Sequence, residues 1–326
     1  MMQANRVLHY ISPSPAPPAN LALEEYLVAT LPFNTNAIIF YRNNSSVIIG
    51  KHQNPWKECN VITARKKNIG IYRRISGGGT VYHDEGNLNY SFIMNKESYC
   101  QNSIYDIIIN ALSELGIPAE RKNKSDIFMD NNKISGNSFY FSKERVLHHG
   151  TLLVSADLSM IRGLLTPDNT HYETKAVCSL PSPVKNISDT HPDITMDIIQ
   201  QHIIAASIHT LSGTRENFIC PDSSDPQYSD LVEKHASREW IFQRTPPFSI
   251  TVDMAMKKEM QRITFSVEQG MIGAVSGSDR ETASMLDASL AGLEYDPERI
   301  LQKINTSSLA SAVKQQLFTS FQEKLF

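Results

Sequence analysis

The sequence lacks paired cysteines, a strong charge excess and long apolar runs. Its four cysteines are scattered, with no C-x-x-C pair, so we expect reduced thiols and a cytoplasmic location rather than disulfides. The net charge of −3 argues against the broad basic surface of a nucleic-acid-binding protein. No apolar run approaches the roughly 18 residues of a membrane span, and the first 20 residues do not resemble a secretory signal. We therefore predict no nucleic-acid or membrane partner. We also expect a monomer.

The domain organisation follows from length and from one proline pair. A chain of 326 residues can form a large domain and a small one. Pro246 and Pro247, in "REWIFQRTPPFSI", mark the predicted boundary. The pattern predicts an α+β (mixed α/β) domain at 1–246 and a small α+β accessory domain at 247–326. Because interfaces between such domains are often mobile, we expect the second domain to swing.

Hydrophobic periodicity predicts the individual elements. A helix is expected after an N-cap at Asn20, and another over "SIYDIIINALSELG", ending at Gly116. Two short apolar strands, "AIIFYR" and "SVIIGK", lie between these helices. "SDIFMDNNKISGNSFYF" predicts a hairpin that turns at residues 130–132, and a second hairpin is expected around Gly270.

Three consecutive glycines in "RRISGGGTVYHDEGNLNYSF" form the most unusual block. Glycines 77–79 could wrap a phosphate with backbone N–H groups, or could simply form a tight bend between strands. The block matches neither G-x-x-x-x-G-K-[ST] nor G-x-G-x-x-G. Because Arg73 and Arg74 alternate along a strand, only one should face a shared pocket. The arginines before the glycines and His83-Asp84 after them favour an anion site.

A lysine, three histidines and a cysteine are further candidates. Lys133 could neutralise a phosphate, although a solvated hairpin lysine is the commoner case. The adjacent His148 and His149 should face opposite sides of a strand. His83 and His149 could suggest a metal, but without an i, i+4 pair or a cysteine partner we predict no protein-bound metal. Cys178 could be a nucleophile, although lone cysteines are more often small core residues.

Six blocks in order resemble the lipoate–protein ligase family, type A, of the biotin/lipoate ligase superfamily. The blocks are "NLALEEYL", "VIIGKHQNPWKECN", "RRISGGGTVYHDEGNLNYSF", "NKISGNSF", "HHGTLLVSADL" and "REWIFQRTPPFS". The resemblance implies a large domain shared with biotin ligases and a small accessory domain. It implies that lipoate and ATP, with Mg²⁺, give lipoyl-AMP, whose lipoyl group passes to a lysine. The implied partners are apo lipoyl domains, namely the E2 subunits of 2-oxoacid dehydrogenases and the glycine cleavage H protein.

The resemblance also implies site residues. It assigns Lys133 as the catalytic lysine, touching both the lipoate carboxyl and the phosphate. It assigns ATP contact to Arg73 and to Gly78, Gly79, Thr80 and Val81. The additional pocket candidates are Ser76, Gly77, His83, Asp84, Asn87 and His149. An apolar tunnel for the lipoyl chain is expected, with Val47, Ile49 and Val81 as candidates.

Several alternatives remain open. Gln243 stands where many of these ligases carry glycine, and "SLPSPVKNI" resembles the animal mitochondrial lipoyltransferases. A lipoyl or octanoyl transferase that uses an already activated acyl donor is therefore the main alternative. A transferase with a thioester on Cys178, a biotin ligase and a non-enzymatic lipoate carrier are the others.

Overall fold

The computed structural model describes residues 6–165, 171–211, 214–217, 221–222, 224–256 and 259–325. In these ranges the chain forms an α+β fold, as predicted. The strands are β1 (Arg6–Ile11), β2 (Thr35–Tyr41), β3 (Ser46–Ile49), β4 (Gly70–Arg73), β5 (Val81–His83), β6 (Asn87–Asn95), β7 (Glu120–Lys122), β8 (Asp126–Met129), β9 (Asn132–Phe141), β10 (Arg145–Leu153), β11 (Tyr172–Thr174), β12 (Thr214–Asn217), β13 (Phe248–Met256), β14 (Glu259–Glu268) and β15 (Met271–Gly277). The α-helices are α1 (Pro17–Thr30), α2 (Pro55–Glu58), α3 (Val61–Lys66), α4 (Gln101–Glu114), α5 (Leu158–Leu164), α6 (Met196–Leu211), α7 (Pro226–Ala236), α8 (Arg280–Leu290), α9 (Pro297–Thr306) and α10 (Ser311–Leu325). A 3₁₀ helix (Ile187–Asp189) and a π-helical turn (Glu239–Gln243) complete the described elements.

An eight-stranded sheet forms the larger layer, in the order β12-β1-β2-β6-β10-β9-β8-β7. Strand β1 pairs in parallel with β2 and β12, and the other pairs are antiparallel. Leu23 and Leu27 of α1 pack on Ile39 and Ile93 at one face of the sheet. Helices α4 and α6 contribute to the hydrophobic core at the other face. The α1 face is the one that carries the candidate site.

Helix α1 begins three residues before the predicted N-cap. Pro17 and Pro18 occupy the first turn, where their missing N–H groups cost nothing, and Ala16 is the actual N-cap. Asn20 is instead buried inside the helix, where its side-chain amide donates to the Asn43 side chain. The predicted N-cap was wrong because the two prolines at N1 and N2 start the helix before the chain reaches Asn20.

The predicted hairpin and the Gly116 helix stop are confirmed. Strands β8 and β9 join at Asp130 and Asn131, which both have positive φ (50° and 61°). Asparagine and aspartate tolerate this left-handed conformation better than most residues, and two-residue hairpin turns favour it. Gly116 follows α4 with φ 76°, the usual geometry of a glycine that ends a helix.

The smaller layer lies on both sides of the predicted domain boundary. Strands β4-β3-β5 form one sheet and β11-β13-β14-β15 form another, so β11 pairs with a strand that lies beyond residue 246. Trp56 packs against the rings of Phe242, Phe248 and Tyr295 in tilted or edge-to-face geometry, at centroid distances of 5.1 to 5.4 Å. A single hydrophobic core therefore joins the two predicted domains, and the boundary at 246/247 stays a prediction.

Two further predictions concern cysteines and membranes. Cys59, Cys100 and Cys178 are free thiols, and Cys220 lies outside the described residues. Within the described ranges, every helix is too short or too polar to cross a membrane.

Candidate active site

A cavity of about 340 Å³ opens on the α1 face of the large sheet. Its walls come from the glycine block and β5 on one side and from β9 and β10 on another, with residues 177–180 at its edge. The predicted site residues that line it are Gly78, Gly79, Thr80, Val81, His83, Lys133 and His149. Segments about 50 residues apart in sequence thus meet at one cavity.

Four of the predicted pocket residues lie behind the wall. Ser76 and the Gly77 carbonyl hydrogen-bond to wall residues. The Asp84 carboxylate accepts from the backbone N–H groups of Gly86 and Asp157, so it fixes the loop between β5 and β6. Asn87 is fully buried and donates to the Tyr82 carbonyl. These side chains shape the site without lining it.

The Arg73 assignment needs correction. Its guanidinium is fully buried outside the cavity, where it donates to carbonyls of residues 50, 51, 53, 240 and 241 and to the Thr245 hydroxyl. Arg74 lines the cavity instead, and it donates to the carbonyls of Gly77 at 2.6 Å and Gly79 at 2.7 Å. Burial lowers the pKa of Arg73 to about 9 and that of Arg74 to about 10, so both remain cations at neutral pH. As expected from their alternation, only one of the two faces the site.

The shape of the glycine block requires glycine at two positions, one within the block and one beneath it. Gly78 has φ 84°, a conformation that side chains disfavour. Gly50 lies beneath the block, and a Cβ there would sit 2.3 Å from the Gly78 carbonyl oxygen. A Cβ at Gly77 would meet no atom within 4 Å. The backbone therefore turns sharply against Gly50, which sequence analysis did not single out.

Lys133 lies on the cavity wall, three-quarters buried. Its Nζ is 2.8 Å from Oδ1 of Asp126, whose side chain also lines the cavity. A Cβ at Gly136 would lie 2.9 Å from the Nζ and Cε atoms of Lys133, so this glycine leaves room for the lysine to cross its own strand. The ion pair and the burial exclude the solvated hairpin lysine.

The paired histidines face opposite sides of the sheet, as predicted. His148 is buried among aromatic rings, including Phe139 with centroids 4.6 Å apart, and burial lowers its pKa to about 3. His149 faces the cavity and Glu24. His83 contacts Asn43 and Thr151, and burial together with the Arg74 cation lowers its pKa to about 3. His83 and His148 are therefore neutral at physiological pH.

The segment that includes Cys178 is tied to the glycine block. The Ser179 hydroxyl accepts from the Thr80 backbone N–H at 2.8 Å and also bonds to the Glu58 carboxylate. Cys178 lines the cavity, but its thiol donates to the Ala176 carbonyl oxygen at 3.8 Å rather than to a histidine or a lysine. The geometry gives the thioester alternative no support.

The predicted tunnel residues are shifted by one position. Val47 and Ile49 are fully buried in the core of the smaller layer, whereas Ile48 faces the cavity. Because successive side chains of a strand point to opposite faces, an error of one position assigns the core side chains to the cavity and the cavity side chain to the core. Val81 does line the cavity. In the part of the chain that the structure describes, no group of three or more His, Cys, Asp and Glu side chains could hold a metal ion.

Comparison with known proteins gives a consistent result. Residues 16–208 match the family model described as the Lipoyl protein ligase A/B catalytic domain. The P. falciparum LipL1 structure in complex with lipoate has a TM-score of 0.64 at 24% identity, over 96% of this chain and 99% of that one. Lipoate-protein ligase A bound with ATP has a TM-score of 0.61 at 25% identity, over 73% of this chain and 98% of that one. A bipartite lipoate protein ligase of Thermoplasma acidophilum, studied with its E2 lipoyl domain, has a TM-score of 0.62 at 24% identity, over 73% of this chain and 96% of that one.

Proposed function

Because the chain belongs to the family of lipoyl protein ligase A/B catalytic domains, we propose that it activates lipoate with ATP and transfers the lipoyl group to a lysine of a lipoyl domain. The observation that carries this proposal is the position of Lys133, which shares one cavity with the glycine block and Arg74. Solved relatives support it, since one is bound with ATP and another is in complex with lipoate.

The glycine block would hold the adenylate phosphate. Gly78, Gly79, Thr80 and Val81 border the cavity, and backbone N–H groups in such a turn favour anions. Arg74 would supply the positive charge that the sequence had assigned to Arg73. It also fixes the shape of the block, since its guanidinium donates to two of the block's carbonyls.

Lys133 would offset the repulsion between two anions. When a carboxylate attacks the α-phosphate of ATP, both groups bring negative charge to the same point. A fixed ammonium stabilises the charge that develops there more strongly than the same group in water. Asp126 holds this ammonium in place at 2.8 Å before substrates arrive.

Mg²⁺ would enter with the nucleotide rather than reside in a protein site. Among the described residues that line the cavity, Asp126 is the one carboxylate, which suits a Mg²⁺ ion that keeps several waters and phosphate oxygens as ligands. When bound, the ion would neutralise phosphate charge. The apolar chain of lipoate would lie against Leu21, Ile48 and Val81, which give the cavity its apolar walls.

The acceptor would be a lipoyl domain of an E2 subunit or of the glycine cleavage H protein, bound by a cytoplasmic monomer. A relative studied with its E2 lipoyl domain supports the first of these. No protein nucleophile is needed, because the mixed anhydride is already activated.

Pyrophosphate release tests the first half-reaction. We expect release to require lipoate, and Lys133→Ala to lower its rate by about 100-fold or more, through loss of charge stabilisation. Lys122→Ala is the matched control, since Lys122 lies on β7 and pairs with Glu120 outside the cavity. Normal release by the Lys133 variant would refute the assigned role. If the protein transfers the lipoyl group from supplied lipoyl-AMP but releases no pyrophosphate from ATP, the transferase alternative is favoured.

A further inference from the structure

Four polar side chains form a chain of hydrogen bonds from the cavity wall into the core. Ser138 on the wall lies 3.1 Å from the Ser76 hydroxyl, and this hydroxyl lies 2.6 Å from Nε2 of His149. On the other side of the imidazole, Nδ1 lies 2.9 Å from Oε1 of Glu24. Ser76 and Glu24 are each 1% exposed, so these two members of the chain are shielded from bulk water, whereas Ser138 and His149 border the cavity.

The large sheet explains why these groups meet. Ser91, His149 and Ser138 lie side by side on β6, β10 and β9, since His149 is directly opposite the other two. Glu24 lies in the buried stripe of α1, which packs on the same face. A carboxylate placed in an apolar stripe needs donors, and this row of polar strand positions provides them.

The hydrogen bonds run in one direction. Glu24 accepts from Tyr41, Ser91 and His149. Burial alone would raise the pKa of the Glu24 carboxyl, but the His149 imidazole and these hydrogen bonds lower it overall. The carboxylate is therefore ionised, and Nδ1 of His149 carries the proton. In the neutral imidazole of this tautomer, Nε2 accepts the proton of Ser76.

The Ser76 hydroxyl has its full set of partners. It accepts from Nε of Arg74 at 3.0 Å and can accept from Ser138, whose single proton can go to Ser76 or to the Gly77 carbonyl. The charged and titratable groups around His149 are its partner Glu24 on α1, Tyr41 on β2 and Arg74 after β4, which both interact with Glu24, His83 on β5 and the adjacent His148. Glu24 is the anion among them, and it can stabilise a proton arriving on the imidazole.

We propose that Ser138, Ser76, His149 and Glu24 form a proton relay that takes the proton released when the acceptor lysine is acylated. The inference rests on the proposed function. The neutral amine attacks the lipoyl carbonyl, the C–N bond forms, and the C–O bond to phosphate breaks, so that AMP leaves with the electron pair. One proton on nitrogen passes to Ser138, the Ser138 proton passes to Ser76, and the Ser76 proton passes to Nε2. Glu24 stabilises the resulting imidazolium.

Transfer from preformed lipoyl-AMP to an apo lipoyl domain, measured in single turnovers from pH 6 to 9.5, isolates this step. General-base catalysis contributes roughly 10²–10⁴-fold. We therefore expect Glu24→Gln and Ser138→Ala to slow transfer at least tenfold at pH 7. The deficit should shrink as pH rises, because hydroxide replaces the missing base. A purely structural role would lower the rate equally at every pH.

Glu25→Gln is the matched control. Glu25 is the next residue of the same helix, and its carboxylate pairs with His235 rather than with a cavity residue. We expect this variant to keep the wild-type pH profile. If the Glu24→Gln and Ser138→Ala variants transfer the lipoyl group at the wild-type rate, or are slowed equally at all pH values, the relay alone is overturned. No transfer by the wild type would overturn the proposed function and the relay with it.

Discussion

Arg73 and Arg74 show what a single residue's sequence context can and cannot predict. Alternation along β4 predicted that one of them would face the site, but not which one. The answer depends on where the strand ends, since β4 stops at Arg73 and the chain then turns into the glycine block. Asp126 and Ser138 were missed because polar residues near a hairpin are ordinarily exposed. Glu24 could have been noticed in the sequence, because a charged residue within the apolar stripe of a predicted helix is unusual.

The residue scale gives a stability prediction for Arg73. Its buried guanidinium satisfies several backbone carbonyls, so Arg73→Met should lower the free energy of unfolding by about 3 kcal/mol or more. Arg42→Met is the control, because Arg42 pairs with Asp197 at the surface and should cost no more than about 1 kcal/mol. Urea denaturation measures both. Equal losses in the two variants would show that Arg73 does not brace the site.

At the scale of elements, local chemistry predicted most helices and hairpins. The turn at Asp130 and Asn131 and the stop at Gly116 follow from backbone preferences that neighbouring residues alone specify. Strand β1 was missed, since its short run gains stability from parallel pairing with β2 and β12, which lie farther along the chain. A short stretch of sequence does not reveal which distant strands it will pair with.

The glycine block gives a prediction at the same scale. Gly78→Ala must hold alanine at φ 84°, with its Cβ only 3.1 Å from an Arg74 nitrogen, which should cost about 1–2 kcal/mol and weaken ATP use. Gly77→Ala, whose Cβ meets open space, should cost less than about 1 kcal/mol. Thermal unfolding and the Michaelis constant for ATP measure the two effects. Equal behaviour of the two variants would contradict the assigned turn geometry.

For the whole molecule, the resemblance predicted the fold class, whereas composition alone gave only a folded α+β chain. The sequence did not predict that one hydrophobic core would cross residue 246. Trp56 packs on rings from both sides of that position, and Arg65 reaches Asp296 at 2.6 Å. A swing of the C-terminal part would have to break these contacts. Long-range packing of this kind depends on shape, which periodicity does not encode.

The mass of an apo lipoyl domain after incubation with the protein, lipoate and Mg-ATP tests the central claim most directly. The wild type should add one lipoyl group, and only when ATP is present. Lys133→Ala should add little from ATP, and Lys122→Ala should match the wild type. Lipoylation from ATP by the Lys133 variant at the wild-type rate would contradict the account.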